Sequence, residues 1–134
     1  SPFMPLAPSV YADMLGERIE RHNASVYLIN TGWTGGPFGV GERISLPLTR
    51  AIVRAAVTGA LEDVETKRHP IFNLQVPITC PEVPEEMLDP KSTWPEPEAY
   101  DKQARELASM MTKNFETFAS GVPEAVVKAG PQPG

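Results

Sequence analysis

Arg43, Ile44, Ser45 and Thr49 are the residues of this chain whose types and spacing could do chemistry together. The first three close the stretch 28-LINTGWTGGPFGVGERIS-45, in which five glycines fall within ten residues, and Thr49 follows it. Ser45 is a good helix N-cap, Pro47 is tolerated in a first turn, and Gly59 stands at the far end of the following apolar-periodic segment. A helix N-terminus carries unpaired amides and a partial positive charge, which suit an anion. Arg43 adds a full charge on a planar fork. Ser45 and Thr49 are four apart and can present both hydroxyls on one face. Ile44 offers an apolar surface on which a flat ring could rest. A cation, a hydroxyl and an apolar wall are what a nucleotide requires. Each is common singly, and the competing reading is a plain turn between strand and helix that glycine merely permits.

The glycine spacing of Gly36-Pro-Phe-Gly-Val-Gly41 matches a phosphate-binding P-loop, G-x-x-x-x-G-K-[ST]. The next two residues do not. Glu42 stands where the lysine should reach the phosphates, and Arg43 where a hydroxyl should hold Mg²⁺. A carboxylate in a nest of amides repels phosphate, so the P-loop reading is rejected. The dinucleotide pattern G-x-G-x-x-G also has no helix at the right place.

Elements must position these residues. The spacing of Val10, Met14, Leu15 and Ile19 predicts a helix that Ser9 can cap and that His22-Asn23 ends, Asn tolerating the left-handed conformation. The short, β-branched run 25-SVYLIN-30 reads as a buried strand in a parallel or mixed sheet. A helix follows from Ser45, with Leu48, Ile52, Val53 and Ala56 as its apolar stripe. Residues 64–79 hold two extended runs around His69-Pro70, 71-IFNLQV-76 being the better strand. Residues 81–97, rich in proline and acids, read as a surface wrap rather than a core element. Tyr100, Ala104, Leu107, Met111, Phe115 and Phe118 predict one apolar face of a helix from about 97 to 118. A short helical turn is expected near 123–129. The fold class is therefore α/β (α+β): a mixed sheet with flanking helices.

Composition bounds the function. The chain has 134 residues, one small domain's worth, and 41% hydrophobic residues, ordinary for a globular protein. The net charge of −5, with no local basic patch, argues against a nucleic-acid partner. No apolar run approaches ~20 residues, so no membrane span is expected. The single cysteine, Cys80, cannot form an internal disulfide, which fits a reducing compartment. SPFMPLAPS is not a signal peptide, and the missing initial methionine points to a piece of a longer chain. His22 and His69 have no metal-site partner at useful spacing, and both are expected to be solvent-exposed.

The order of segments brings a resemblance into view. Asn30-Thr-Gly-Trp33, the glycine loop and 43-RISLPLTRAIVRAAVTGAL-61 closely resemble the C-terminal region of ATP-dependent phosphoenolpyruvate carboxykinases. The similarity extends to 2-PFMPLAPSVYADMLGERI-19, 70-PIFNLQVP-77, 88-LDPKSTW-94 and the closing 129-AGP-131, covering essentially the whole chain in order.

The resemblance implies a segment of that family's nucleotide-binding domain over residues 1–134. By it, Arg43 and Ile44 of the R-I/M-S/P element and Thr49, just before the helix arginine, contact ATP. The family converts oxaloacetate and ATP to phosphoenolpyruvate, ADP and CO₂ in gluconeogenesis. It uses Mg²⁺ on the nucleotide and a second divalent ion, usually Mn²⁺, near the substrate, and it is typically cytosolic. The family's P-loop, its metal-binding lysine, histidine and aspartate, and its oxaloacetate-binding arginine lie upstream of the matching segment. This chain is therefore expected to carry no catalytic residue and no metal ligand of its own, and to be inactive alone. Its partners would be ATP, oxaloacetate and the remainder of its own polypeptide. A free-standing module that binds nucleotide or a partner without catalysis is the other reading.

Overall fold

The computed structural model describes residues 3–134. Helix α1, Pro8–His22, starts one residue before the expected cap: Ala7 is extended and Pro8 supplies a preset first turn, so Ser9 has no capping role. Its end is as expected. Asn23 adopts φ 49°, and the Ala24 amide returns to the Ile19 carbonyl at 3.1 Å.

A hairpin of two short strands follows, β1 (Trp33–Thr34) antiparallel to β2 (Glu42–Arg43). Helix α2, Leu46–Val57, begins after Ser45, whose backbone is extended and whose side chain makes no capping bond. A second hairpin pairs β3 (Thr66–Arg68) antiparallel with β4 (Gln75–Pro77), Lys67 opposite Val76. Two single-turn helices, α3 (Glu85–Leu88) and α4 (Pro90–Thr93), lead to the long helix α5, Pro97–Phe115. A 3₁₀ turn, Ala119–Gly121, and helix α6, Glu124–Ala129, close the chain.

The mixed helix-and-strand composition is the expected one, carried here by two separate two-stranded antiparallel sheets. Several expectations need correction. Residues 25–30 form no strand, and Val26 and Leu28 are 62% and 82% exposed. A strand exists only when a neighbour takes its backbone bonds, and among the described residues none does. The run 71–76 is mostly turn: Asn73 has φ 60° and only Gln75 and Val76 reach β4, while Ile71 is turned into the core. The 81–97 connection is not merely a wrap. Val83 is buried and bridges to Cys80.

The core is built of small residues in two clusters. Ala51 and Ala55 of α2 meet Leu61, Cys80 and Val83, with Ile52 and Ala56 flanking. Ile71 meets Tyr100, Ala104 and Ala108 of α5, with Phe72 and Trp94 beside them. In α2 the buried stripe is rotated from the expected one to Ala51 and Ala55, and in α5 the expected Tyr100 and Ala104 are buried but the stripe continues to Ala108, so that Val53, Leu107 and Met111 are left exposed. Helix α5 also stops at Phe115, short of Phe118.

The accessible surface is 10076 Å² for 14.6 kDa. A compact monomer of this mass exposes only about 6,900 Å². Large apolar residues lie on that surface: Val10, Met14 and Leu15 of α1, none of whose residues is buried, and Leu107, Met110 and Met111 of α5 are all exposed.

Candidate functional site

The glycine loop does not carry the chain from a sheet into the helix, as its sequence position suggested. It is the turn of the β1–β2 hairpin, and its second strand delivers Arg43. Trp33 pairs with Arg43 and Thr34 with Glu42. Gly35 (φ 80°) and Gly39 (φ 88°) take conformations that favour glycine. The amides of Val40 and Gly41 both donate to the Pro37 carbonyl, at 3.0 and 2.9 Å. A side chain at Gly41 would start 2.5 Å from the Gly36 carbonyl oxygen.

Asn30 sets the entry to this hairpin. Its Oδ1 accepts from the Gly32 amide at 2.9 Å and its Nδ2 donates to the Trp33 carbonyl at 3.0 Å. Sequence reasoning missed this role, although Asn followed two residues later by Gly is the signature of such a side-chain-closed turn. The hairpin also leans on α4: Thr34 Oγ1 lies 3.4 Å from Thr93 Oγ1. Trp33 and Phe38 of the hairpin are 53% and 95% exposed. They meet only edge-on, their ring centroids 6.3 Å apart.

The three predicted contact residues fall at the junction of hairpin and helix. Arg43 is exposed at the end of β2, and its guanidinium makes no ion pair or hydrogen bond among the described residues. The Ile44 amide donates to the Gly32 carbonyl at 2.8 Å, which fixes the chain between Arg43 and the helix. Thr49 is half-buried in the first turn of α2, its amide on the Ser45 carbonyl at 3.0 Å, whereas its neighbour Arg50 is exposed. Only Ile44 of the three borders the main cavity, an apolar trough of about 570 Å³. Its walls include Leu28, Ile52, Leu74, Met87 and Trp94. Arg43 and Thr49 lie outside that lining.

His69 is not the exposed residue expected from its sequence context. It is half-buried, its Nε2 2.8 Å from the Tyr100 hydroxyl. Its Nδ1 accepts from the amides of Ile71 and Phe72 at 3.2 and 3.1 Å. An unprotonated Nδ1 places the ring proton on Nε2, donating to the tyrosine oxygen. Burial lowers the His69 pKa; Lys67 acts in the same sense, against Asp89 and Asp101. The Tyr100 hydroxyl is pushed up by burial and by the same two carboxylates. The Cys80 thiol is raised by burial, which keeps it protonated. His22, in contrast, is exposed at the end of α1. Among the described residues no three of His, Cys, Asp and Glu gather closely enough to hold a metal ion, and no helix is long and apolar enough to cross a membrane.

Comparison with known proteins agrees with the segment order. The family model described as phosphoenolpyruvate carboxykinase matches residues 1–86. The chain is 54% identical over 132 residues to the phosphoenolpyruvate carboxykinase (ATP) of Thermus thermophilus, covering 98% of this chain and 25% of that protein. It is 56% and 57% identical to the carboxykinases (ATP) 2 and 1 of Moorella thermoacetica, covering 98% and 97% of this chain and 25% of each relative. The chain thus spans about a quarter of the length of the curated relatives it matches, and it belongs to the ATP-dependent phosphoenolpyruvate carboxykinase family.

Proposed function

We propose that this chain is the nucleotide-contacting part of a cytosolic carboxykinase that converts oxaloacetate and ATP to phosphoenolpyruvate, ADP and CO₂, and that Arg43, Ile44 and Thr49 touch the ATP. The observation that carries this reading is the state of Arg43. Its backbone is held by pairing with Trp33, and the next amide is tied to Gly32. Its charged group is nevertheless exposed and unpartnered among the described residues. A guanidinium on a fixed backbone with nothing to bind is suited to an incoming anion or to a ring-edge acceptor. Ile44 supplies an apolar surface one residue on, and Thr49 a hydroxyl that makes no bond among the described residues.

ATP supplies the phosphoryl group, and divalent ions neutralise the charge that develops during its transfer. The residues present do not fit Mg²⁺ or Mn²⁺, since no ligand cluster exists among those described. The ions, the phosphate cradle and the oxaloacetate contacts are therefore assigned to the rest of the polypeptide, and the 134-residue chain alone to an inactive state.

The test is ATP titration of the longer polypeptide carrying this sequence, with and without Arg43→Ala. Affinity for ATP should fall with oxaloacetate binding retained. An unchanged ATP affinity with weakened oxaloacetate binding would overturn the assignment.

A further inference from the structure

We propose that residues 129–132 form a proton-sensitive strap: they are tied to the turn of the β3–β4 hairpin, the neutral ring of His69 shapes that turn, and protonation of His69 releases the strap. The device depends only on contacts within this chain, and not on which residues touch ATP.

Two bonds tie the strap down. The Gln132 amide donates to the Ile71 carbonyl at 2.6 Å, and Asn73 Nδ2 donates to the Ala129 carbonyl at 3.1 Å. Residues 131–134 have no helix or strand of their own, and Gln132 Nε2 bonds only locally, to the Gly130 carbonyl. Among the described residues no other hydrogen bond joins residues 129–134 to the body of the chain. Both anchors, Ile71 and Asn73, lie in one turn.

That turn is not held by its backbone alone. The His69 amide donates to the Leu74 carbonyl at 2.8 Å and the Asn73 amide to the His69 carbonyl at 3.0 Å. Asn73 sits in the left-handed region at φ 60°. Inside the turn, His69 Nδ1 accepts from the amides of Ile71 and Phe72. It can do so only while unprotonated; a proton there sets one donor against two others. The Nε2 bond to the Tyr100 hydroxyl survives, since Nε2 carries a proton in both states. The ring thus stays on α5 while the turn is pushed from it.

The surrounding charges do not offset that loss. Lys67 of β3, Asp89 ahead of α4, and Tyr100 and Asp101 of α5 act on the ring. Asp89 is paired with Lys67 at 3.2 Å and Asp101 with Lys91 at 2.6 Å, so each carboxylate already has a cation. Burial first, then Lys67, outweigh the two carboxylates and keep the ring neutral below its ordinary value of about 6.5. The open turn therefore binds a proton more tightly than the closed one, and the strap opens as the pH falls below about 6.5.

Amide hydrogen exchange on the longer polypeptide, corrected for the intrinsic pH dependence of exchange, tests this between pH 8 and pH 5. Protection of the Gln132 amide should fall by up to about tenfold per pH unit below about 6.5. At every pH it should stay below that of Ala104 and Ala108 in α5, because the strap leaves without global unfolding. His69→Asn keeps a turn-closing acceptor that cannot titrate, and should make Gln132 protection independent of pH. Asn73→Gly keeps the left-handed backbone, removes the bond to Ala129, and should lower Gln132 protection throughout. Four results would overturn the proposal: wild-type protection at Gln132 that ignores pH, an equal fall in His69→Asn, unchanged protection in Asn73→Gly, or protection at Gln132 equal to that in α5. If a variant does not fold, the wild-type titration and its comparison with α5 still decide.

Discussion

The carbonyl oxygen of Gly36 lies 2.5 Å from the point where a side chain on Gly41 would begin. The Thr34 carbonyl is nearly as close, at 2.8 Å. Both neighbours are backbone, so neither can swing aside. Gly41→Ala is expected to open the β1–β2 hairpin and cost about 1–3 kcal/mol, as overpacking does. Gly16→Ala is the control: nothing lies within 4 Å of the added methyl inside α1, and the substitution should stabilise by roughly 0.5–1 kcal/mol. Melting curves of the two variants should move in opposite directions.

Arg43→Ala should weaken ATP by about one to two decades, the value of a charged hydrogen bond of roughly 1.5–3 kcal/mol. Arg43→Lys should recover only part, because the planar fork is lost. Because Arg43 is exposed and unpartnered among the described residues, neither variant should lower the melting temperature appreciably. Titration with ATP beside a melting curve separates a lost contact from a lost fold.

Thr49 and Arg50 should behave differently although adjacent. They lie ~100° apart on the helix, one half-buried and the other exposed. Thr49→Val keeps the shape and removes the hydroxyl, with an expected loss of about 0.5–1.5 kcal/mol in ATP affinity. Arg50→Gln should leave it nearly unchanged. Equal ATP affinity in the wild type and Thr49→Val would remove Thr49 from the site.

The His69–Tyr100 bond joins the β3–β4 hairpin to α5 and makes stability pH-dependent. The folded pKa of His69 lies below its ordinary value of about 6.5. The unfolded chain therefore binds more protons across the window from about 6.5 down to the folded value, and stability is lost as the pH falls through that window. Protonation would also aim an N–H from Nδ1 at the amides of Ile71 and Phe72. Denaturant midpoints measured from pH 8 to pH 5 should decline, and the decline should shrink in His69→Asn. Tyr100→Phe should cost about 0.5–1.5 kcal/mol at neutral pH, where His69 is neutral.

The purified 134-residue chain is expected to turn over no oxaloacetate with ATP and Mn²⁺, since none of its described residues forms a metal site. A coupled assay for phosphoenolpyruvate, run against a blank, checks this; turnover above the blank would contradict it.

Local chemistry made part of this molecule legible. Asn23 in the left-handed region ends α1, Ser45 precedes α2, and the break at His69-Pro70 parts two short strands. All are decided within a few residues, by backbone sterics and the geometry of one turn, and the segment order in the sequence was enough to place the family. What depends on distant partners was not legible. The pairing of Trp33 with Arg43 turns a presumed strand-to-helix loop into a hairpin. The partnership of His69 with Tyr100 spans 31 residues and converts a presumed surface histidine into a lock between elements. The buried stripe of α2 runs through Ala51 and Ala55, and that of α5 continues from the expected Tyr100 and Ala104 to Ala108 rather than to Leu107 and Met111, because those faces are the ones opposed by Cys80, Val83 and Ile71. Val26–Ile29 shows the limit most clearly. Its apolar, β-branched sequence specifies a strand, but a strand is completed only by a neighbour's hydrogen bonds, and no described part of this chain provides them.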